Sequence, residues 1–311
     1  MTQEVLAVSE LVKTYSGRGR NRANDGISMT ASAGRVLGVL GHNGAGKTTL
    51  VNQIVGLLRP DSGSISLAGI DAIAHPARAR ELASVQAQAN VPITGLTPRR
   101  AIELVARIRG TQRREAAARA AALIETLDLA PWADTPAEKI SGGVARLTAF
   151  GMAAVAPGPL VILDEPTNDV DPARRRLLWS AIRGVADAGA AVLLVTHNVR
   201  EAEHTVDDLV ILDRGRVIAA GTPAQLTAHL RDTLTLELDA ARVPELPAGM
   251  RAQVVGPAQA AVTVPASRGA ETVAWAQAAV DRGDIERFSL TAASLEDVYL
   301  DLVGSEQGAA A

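Results

Sequence analysis

Val36-Leu37-Gly38-Val39-Leu40-Gly41-His42-Asn43-Gly44-Ala45-Gly46-Lys47-Thr48-Thr49 sets five apolar residues directly before a glycine-rich loop and a lysine. The apolar run reads as a buried strand, the glycines as a turn, and the residues from Lys47 onward as a helix. Gly41, Gly46, Lys47 and Thr48 satisfy G-x-x-x-x-G-K-[ST]. In that pattern backbone N–H groups curl around phosphates and the helix N-terminus adds partial positive charge. Gly41, Asn43, Gly44, Gly46, Lys47, Thr48 and Thr49 are therefore candidate nucleotide-binding positions. Lys47 would neutralise β- and γ-phosphate oxygens, Thr48 would ligate Mg2+, and Thr49 would lie near the α-phosphate.

Moving outward, strand patterns recur at Leu160 to Leu163, Ala191 to Val195 and Leu209 to Leu212, with a helical Ala173 to Ala188 between them. A parallel βαβ sheet follows from that order. From Thr97 to Pro157 the apolar spacing turns helical, at Ile102, Val105 and Ile108 for example, so a helical insert over about 89–157 is expected. The strand at Leu160 ends in Asp164-Glu165. These carboxylates could serve a metal and a water in line with a γ-phosphate. Ser141-Gly142-Gly143 offers a hydroxyl and two bare amides at a helix start.

Composition narrows the alternatives. The 311 residues carry a net charge of −3, 47% hydrophobic and 2% aromatic residues, and no cysteine. This excludes a disulfide scaffold and a Cys-ligated zinc site, and the core must be built from Ala, Val, Leu and Ile. Near-neutral charge argues against nucleic acid, and the Arg-rich turn Gly17 to Arg22 is too short to reverse that. No secretory signal is visible, nor a run of the about 20 apolar residues that span a bilayer. His42, His75, His204 and His229 show no metal-ligand spacing.

The order of these elements, namely the Lys47 loop, Ser141-Gly142-Gly143, Asp164-Glu165, Asn168-Asp169-Val170-Asp171 and Thr196-His197, resembles an ABC transporter ATPase over roughly residues 4 to 230. The resemblance implies an α/β P-loop cassette with a mixed sheet core and a helical insert, binding ATP and Mg2+. By the same resemblance Tyr15 stacks on adenine, and Asp164 serves the metal. Glu165 is the base for the attacking water, and His197 is the switch residue at the γ-phosphate. Gln88 is the loop glutamine touching metal and water, with Gln86 the alternative. Ser141, Gly142, Gly143 and Asp171 would serve the nucleotide held by a second copy, so a homodimer is implied. Three positions depart from the pattern: Val144 where glutamine is common, Arg146 as the remnant of a basic cluster, and His42 where proline is frequent.

Beyond 230 the texture changes to short runs at Leu234 to Leu238, Gln253 to Val255 and Val262 to Val264, divided by the Pro-rich Val243 to Pro247. A helix at Glu271 to Val280, a strand at Ile285 to Leu290 and a helix at Ser294 to Val303 complete a small α+β accessory domain, 231–311, with a frayed tail from Gly304. Ala293 to Gly304 resembles the closing segment of ATPases of drug, antibiotic and lipid-type exporters. The expected function is the ATP-hydrolysing subunit of such an exporter, cytoplasmic and held at the membrane's inner face by a separate permease. The alternatives are a soluble cassette acting on ribosomes or DNA, and a weakly hydrolysing regulatory subunit.

Overall fold

Five short runs, each too brief for a helix, lie side by side as parallel strands, and the three central ones are apolar and buried on both faces. In the computed structural model the five are β3 (Val36–Leu40), β6 (Ala83–Gln86), β7 (Leu160–Asp164), β8 (Ala191–Thr196) and β9 (Asp208–Asp213). Strand β10 (Arg216–Gly221) pairs antiparallel with β9, giving a six-stranded mixed sheet in the order β10-β9-β3-β8-β7-β6. The structure describes residues 3–16, 21–89, 93–199, 203, 205–240, 244, 246–247, 251–256 and 259–308. Gly17 to Arg20 of the Arg-rich turn, His204, Val243 and Glu245 of the Pro-rich stretch, and the last three tail residues lie outside them.

The chain divides into two compact units, 1–221 and 222–311. The boundary falls before Thr222 rather than at 230/231. A reciprocal cap, Thr222 with Gln225, starts the short helix α7 (Pro223–Leu226), the first element of the second unit. In the first unit a four-stranded antiparallel sheet runs in the order β2-β1-β4-β5, from β1 (Glu4–Tyr15), β2 (Asn21–Ser32), β4 (Ser62–Leu67) and β5 (Ile70–Asp71). Its Leu6, Leu11, Ile27 and Ile65 share one core with Val39, Leu193 and Ile162 of the mixed sheet. Leu50 and Ile54 of α1 (Lys47–Ile54) belong to that core too, so the phosphate-loop helix is locked between the sheets.

After α2 (Pro76–Leu82) and β6 comes the helical insert: α3 (Pro98–Ile108), α4 (Arg113–Thr126) and α5 (Gly142–Ala154). Thr97 caps α3 by accepting the Arg100 N–H, with Pro98 at its first position. Ile102, Leu127, Leu147 and Phe150 are fully buried there. Helix α6 (Pro172–Asp187) follows β7, capped by Asp171. Among the described residues no helix is long and apolar enough to cross a membrane.

The second unit is a four-stranded antiparallel sheet, order β12-β13-β11-β14, from β11 (Thr233–Asp239), β12 (Arg251–Gly256), β13 (Gln259–Pro265) and β14 (Arg287–Ala292). Leu236, Leu238, Val262 and Val264 alternate onto one face and pack with Ala276 and Ala279 of α8 (Gly269–Asp281). The last strand begins two residues later than the apolar pattern suggests. Gly283 and Asp284 first close α8 by bonding back to Val280 and Ala279, and Ile285 is buried in the connection. The final helix, α9 (Leu295–Gly308), continues past Gly304, the expected start of fraying, as far as Gly308.

Candidate functional site

The carboxyl ends of β3 and β7 deliver the two halves of one cleft. After Leu40 the chain turns through Gly44 (φ 92) and Gly46 (φ 101) into α1. A side chain at Gly46 would place its Cβ 2.1 Å from the Ala23 carbonyl oxygen, so the loop can lie this close to β2 only without one. The Asn24 amide, fully buried, holds that approach by donating to the Ala23 and Gly46 carbonyls at 2.8 and 3.1 Å. Lys47 Nζ donates to the Gly41 and His42 carbonyls, and burial pushes its ammonium below the usual lysine range against the opposing charges of Glu165 and Asp164.

The resulting cleft, about 440 Å³, is walled by Asn43, Gly44, Gly46, Lys47, Thr48 and Thr49 on the loop side. Asp164, Glu165 and Gln88 stand opposite, and Tyr15, Asn21 and Ala23 form the rim. Tyr15 is exposed, its hydroxyl 3.4 Å from Thr49 Oγ1. Of the two loop glutamines, Gln88 is on the cleft wall. Gln86 is fully buried and donates to the Arg146 carbonyl at 3.2 Å. Arg146, also buried, donates to the Ala87 carbonyl next to Gln88 at 3.0 Å.

Burial, and the Glu165 carboxylate beside it, push Asp164 up to about 6, while Lys47 and Arg146 pull it back. Two adjacent buried carboxylates suit a bound cation. The Thr48 hydroxyl, the Asp164 carboxylate and the Gln88 amide are all oxygen donors, the set a hard cation such as Mg2+ prefers. Among the described residues no three His, Cys, Asp or Glu side chains could cage a metal by themselves. Such an ion would need further oxygens from a nucleotide.

Glu165 has φ 50, a left-handed backbone that costs a non-glycine residue about 1–3 kcal/mol. It is held there by its N–H, which donates to Val195 O at 2.8 Å, and by its buried carboxylate. Thr196 Oγ1 donates to Oε2 at 3.0 Å, and His197 Nδ1 lies 2.7 Å from Oε1. The half-exposed His197 thus meets the cleft through Glu165.

Ser141, Gly142, Gly143 and Asp171 are not on this cleft's wall. Ser141 caps α5, accepting the Val144 N–H at 3.4 Å, and Gly143 packs so tightly on the Asp169 carbonyl that a Cβ would come within 2.5 Å. Asp171 Oδ1 accepts the N–H groups of Ala173 and Arg174. Sequence reasoning missed Asn24, whose polar surroundings carry no periodic signal. It missed as well the contact of His42 Nε2 with the buried Asp213 at 2.7 Å, which joins residues far apart in the chain.

The ABC transporter family matches residues 24–168. The daunorubicin/doxorubicin resistance ATP-binding protein DrrA of Streptomyces peucetius is 33% identical over 317 residues, covering 97% of this chain and 94% of its own length. Among solved structures, the ATP-binding subunit of an ABC transporter aligns with TM-score 0.67 at 28% identity, over 72% of this chain and 92% of that one. A dimeric bacterial ABC transporter cassette aligns with TM-score 0.64 over 70% and 98% of the two chains, and at 21% identity the likeness is one of fold.

Proposed function

This chain belongs to the ATP-binding subunits of ABC transporters, proteins that bind and hydrolyse ATP, and on that premise we propose that it drives an exporter of drugs, antibiotics or lipid-like molecules as a homodimer at a separate permease. The observation that carries the dimer is the half-built cleft: phosphate loop and acidic pair stand together, while Ser141, Gly142, Gly143 and Asp171 lie off its wall. A second copy related by two-fold symmetry would bring its own set of these residues to each nucleotide. Drug export is supported by the similarity to DrrA, which extends through the second unit.

In this reading Tyr15 stacks on the base, and the loop amides and Lys47 hold the phosphates. Thr48 and Asp164 would hold Mg2+, with Gln88 beside them, and the ion would supply positive charge to the β- and γ-phosphate oxygens. Glu165 takes a proton from the water that attacks the γ-phosphorus, the bond to the bridging oxygen breaks, and ADP and phosphate result. His197 and Thr196 orient the Glu165 carboxylate. Nucleotide contacts made on both copies favour the closed pair, and hydrolysis removes them.

An apolar groove of about 480 Å³ opens beside the cleft, lined by Val51, Val55, Leu57 and Val85 and sharing Thr48, Gln88 and Asp164 with it. Leu57 is 69% exposed. We assign this groove to a cytoplasmic segment of the permease, which would hold the cassette at the inner face of the membrane, because its occupant would touch the nucleotide side chains directly. Mg-ATPase assay of the purified chain tests the hydrolysis. Glu165→Gln is expected to lower turnover by about 10²–10⁴ while ATP binding persists and the chain elutes as a dimer in Mg-ATP. Unchanged turnover would remove Glu165 from the base role, and a monomer would refute the composite site.

A further inference from the structure

Two residues of the first unit go against their local backbone. Helix α4 closes with the Asp128 N–H on the Glu125 carbonyl and the Leu129 N–H on the Ile124 carbonyl. That pattern puts Asp128 at a left-handed position (φ 53), where glycine is the usual residue. Helix α6 carries Arg174 in its first turn, where the partial positive charge of a helix N-terminus disfavours a cation. Neither residue suits its own helix, and the two meet. Arg174 Nη2 donates to Asp128 Oδ2 at 2.8 Å, and Nε reaches the Asp128 carbonyl at 3.4 Å. On its other side Nη1 donates to Asp171 Oδ2 at 2.9 Å. The guanidinium carbon also lies 4.6 Å above the centre of the Trp132 ring.

Asp128 and Trp132 belong to the helical insert, whereas Asp171 and Arg174 follow β7 of the sheet. One rigid, planar fork thus grips both, in a geometry that the single ammonium of lysine does not reproduce. Where local preference is broken twice at one contact, the contact itself is the compensating gain. We propose that Arg174 is a positioning residue that couples the helical insert to the Asp171 loop, with Asp128 and Trp132 as its seat on the insert. The proposal rests on the reading above, in which this loop meets the second copy. The setting of the insert is passed through Arg174 to Asp171 and so to closure over the nucleotide.

Asp128→Gly is the informative variant, since it deletes the carboxylate while giving the helix end its preferred residue. Its melting temperature should stay or rise, while kcat falls about fivefold or more and ATP binding to the separate, monomeric chain is unchanged. Arg174→Ala should lose turnover similarly, and Arg174→Lys should fail to restore it. The double variant Arg174→Ala/Asp128→Gly should be no slower than Arg174→Ala alone, because both remove one link. Full turnover in Asp128→Gly, multiplied losses in the double variant, or a melting temperature that falls together with kcat would each overturn the coupling. An unsubstituted chain without Mg-ATPase activity would overturn the parent reading, and the coupling with it. Active unsubstituted protein and equally active Asp128→Gly would overturn the coupling alone.

Discussion

Gly46 shows how far a single atom decides this site. Its backbone is left-handed, and a methyl group would press on both the Ala23 carbonyl and the Asn24 amide. Gly46→Ala should therefore push the loop off β2 and misdirect the N–H groups meant for phosphates. Thermal melting with and without Mg-ATP checks this: the nucleotide-induced rise should vanish, and a rise equal to that of the unsubstituted chain would refute it. The phosphate loop was legible because its chemistry is local, with Gly41, Gly46, Lys47 and Thr48 adjacent in the chain. Asn24 was not, because an ordinary polar residue acquires its role only when β2 is laid against the loop. Gln86 and Gln88 show the limit of spacing arguments. They differ by two residues, and strand β6 buries one and leaves the other beyond its end.

At the scale of elements, ion pairs at strand starts help fix the parallel sheet. Asp207, just before β9, accepts the Val36 N–H at the start of β3 and the Arg183 guanidinium of α6, both at 2.7 Å. Burial raises its carboxyl, but Arg183 and the Val36 N–H outweigh that and hold it below the usual carboxylate value. A depressed acid contributes stability that is present above its unfolded value near 3.8 and is lost as pH falls through the folded one. Asp207→Asn should thus cost about 1 kcal/mol at neutral pH, the partners being partly exposed, and the cost should fade on acidification. Denaturant melts at pH 7 and pH 3 test it, and an equal loss at both would be the contrary result. Buried runs such as Leu160 to Leu163 announce their strands, since an apolar stretch this short has few alternatives. The β2-β1-β4-β5 sheet stayed hidden: β1 and β2 pair with several register shifts, which blur the two-residue alternation.

For the whole molecule, the change of texture near residue 230 follows composition, whereas the two compact units divide at 221/222, just before the capped helix α7. Gly41, Glu165 and His197 all follow the carboxyl ends of neighbouring parallel strands, so the reactive groups share one rim of the sheet. The amino end of β8 lies one strand away, about 20 Å for its six residues, and the exposed Ala188 sits in the turn before it. With no native thiol in the sequence, an Ala188→Cys chain would carry one attachment point for a fluorophore, remote from the chemistry. It should keep full ATPase rates after labelling, and a dye pair on mixed copies would then report the approach and parting of subunits in real time.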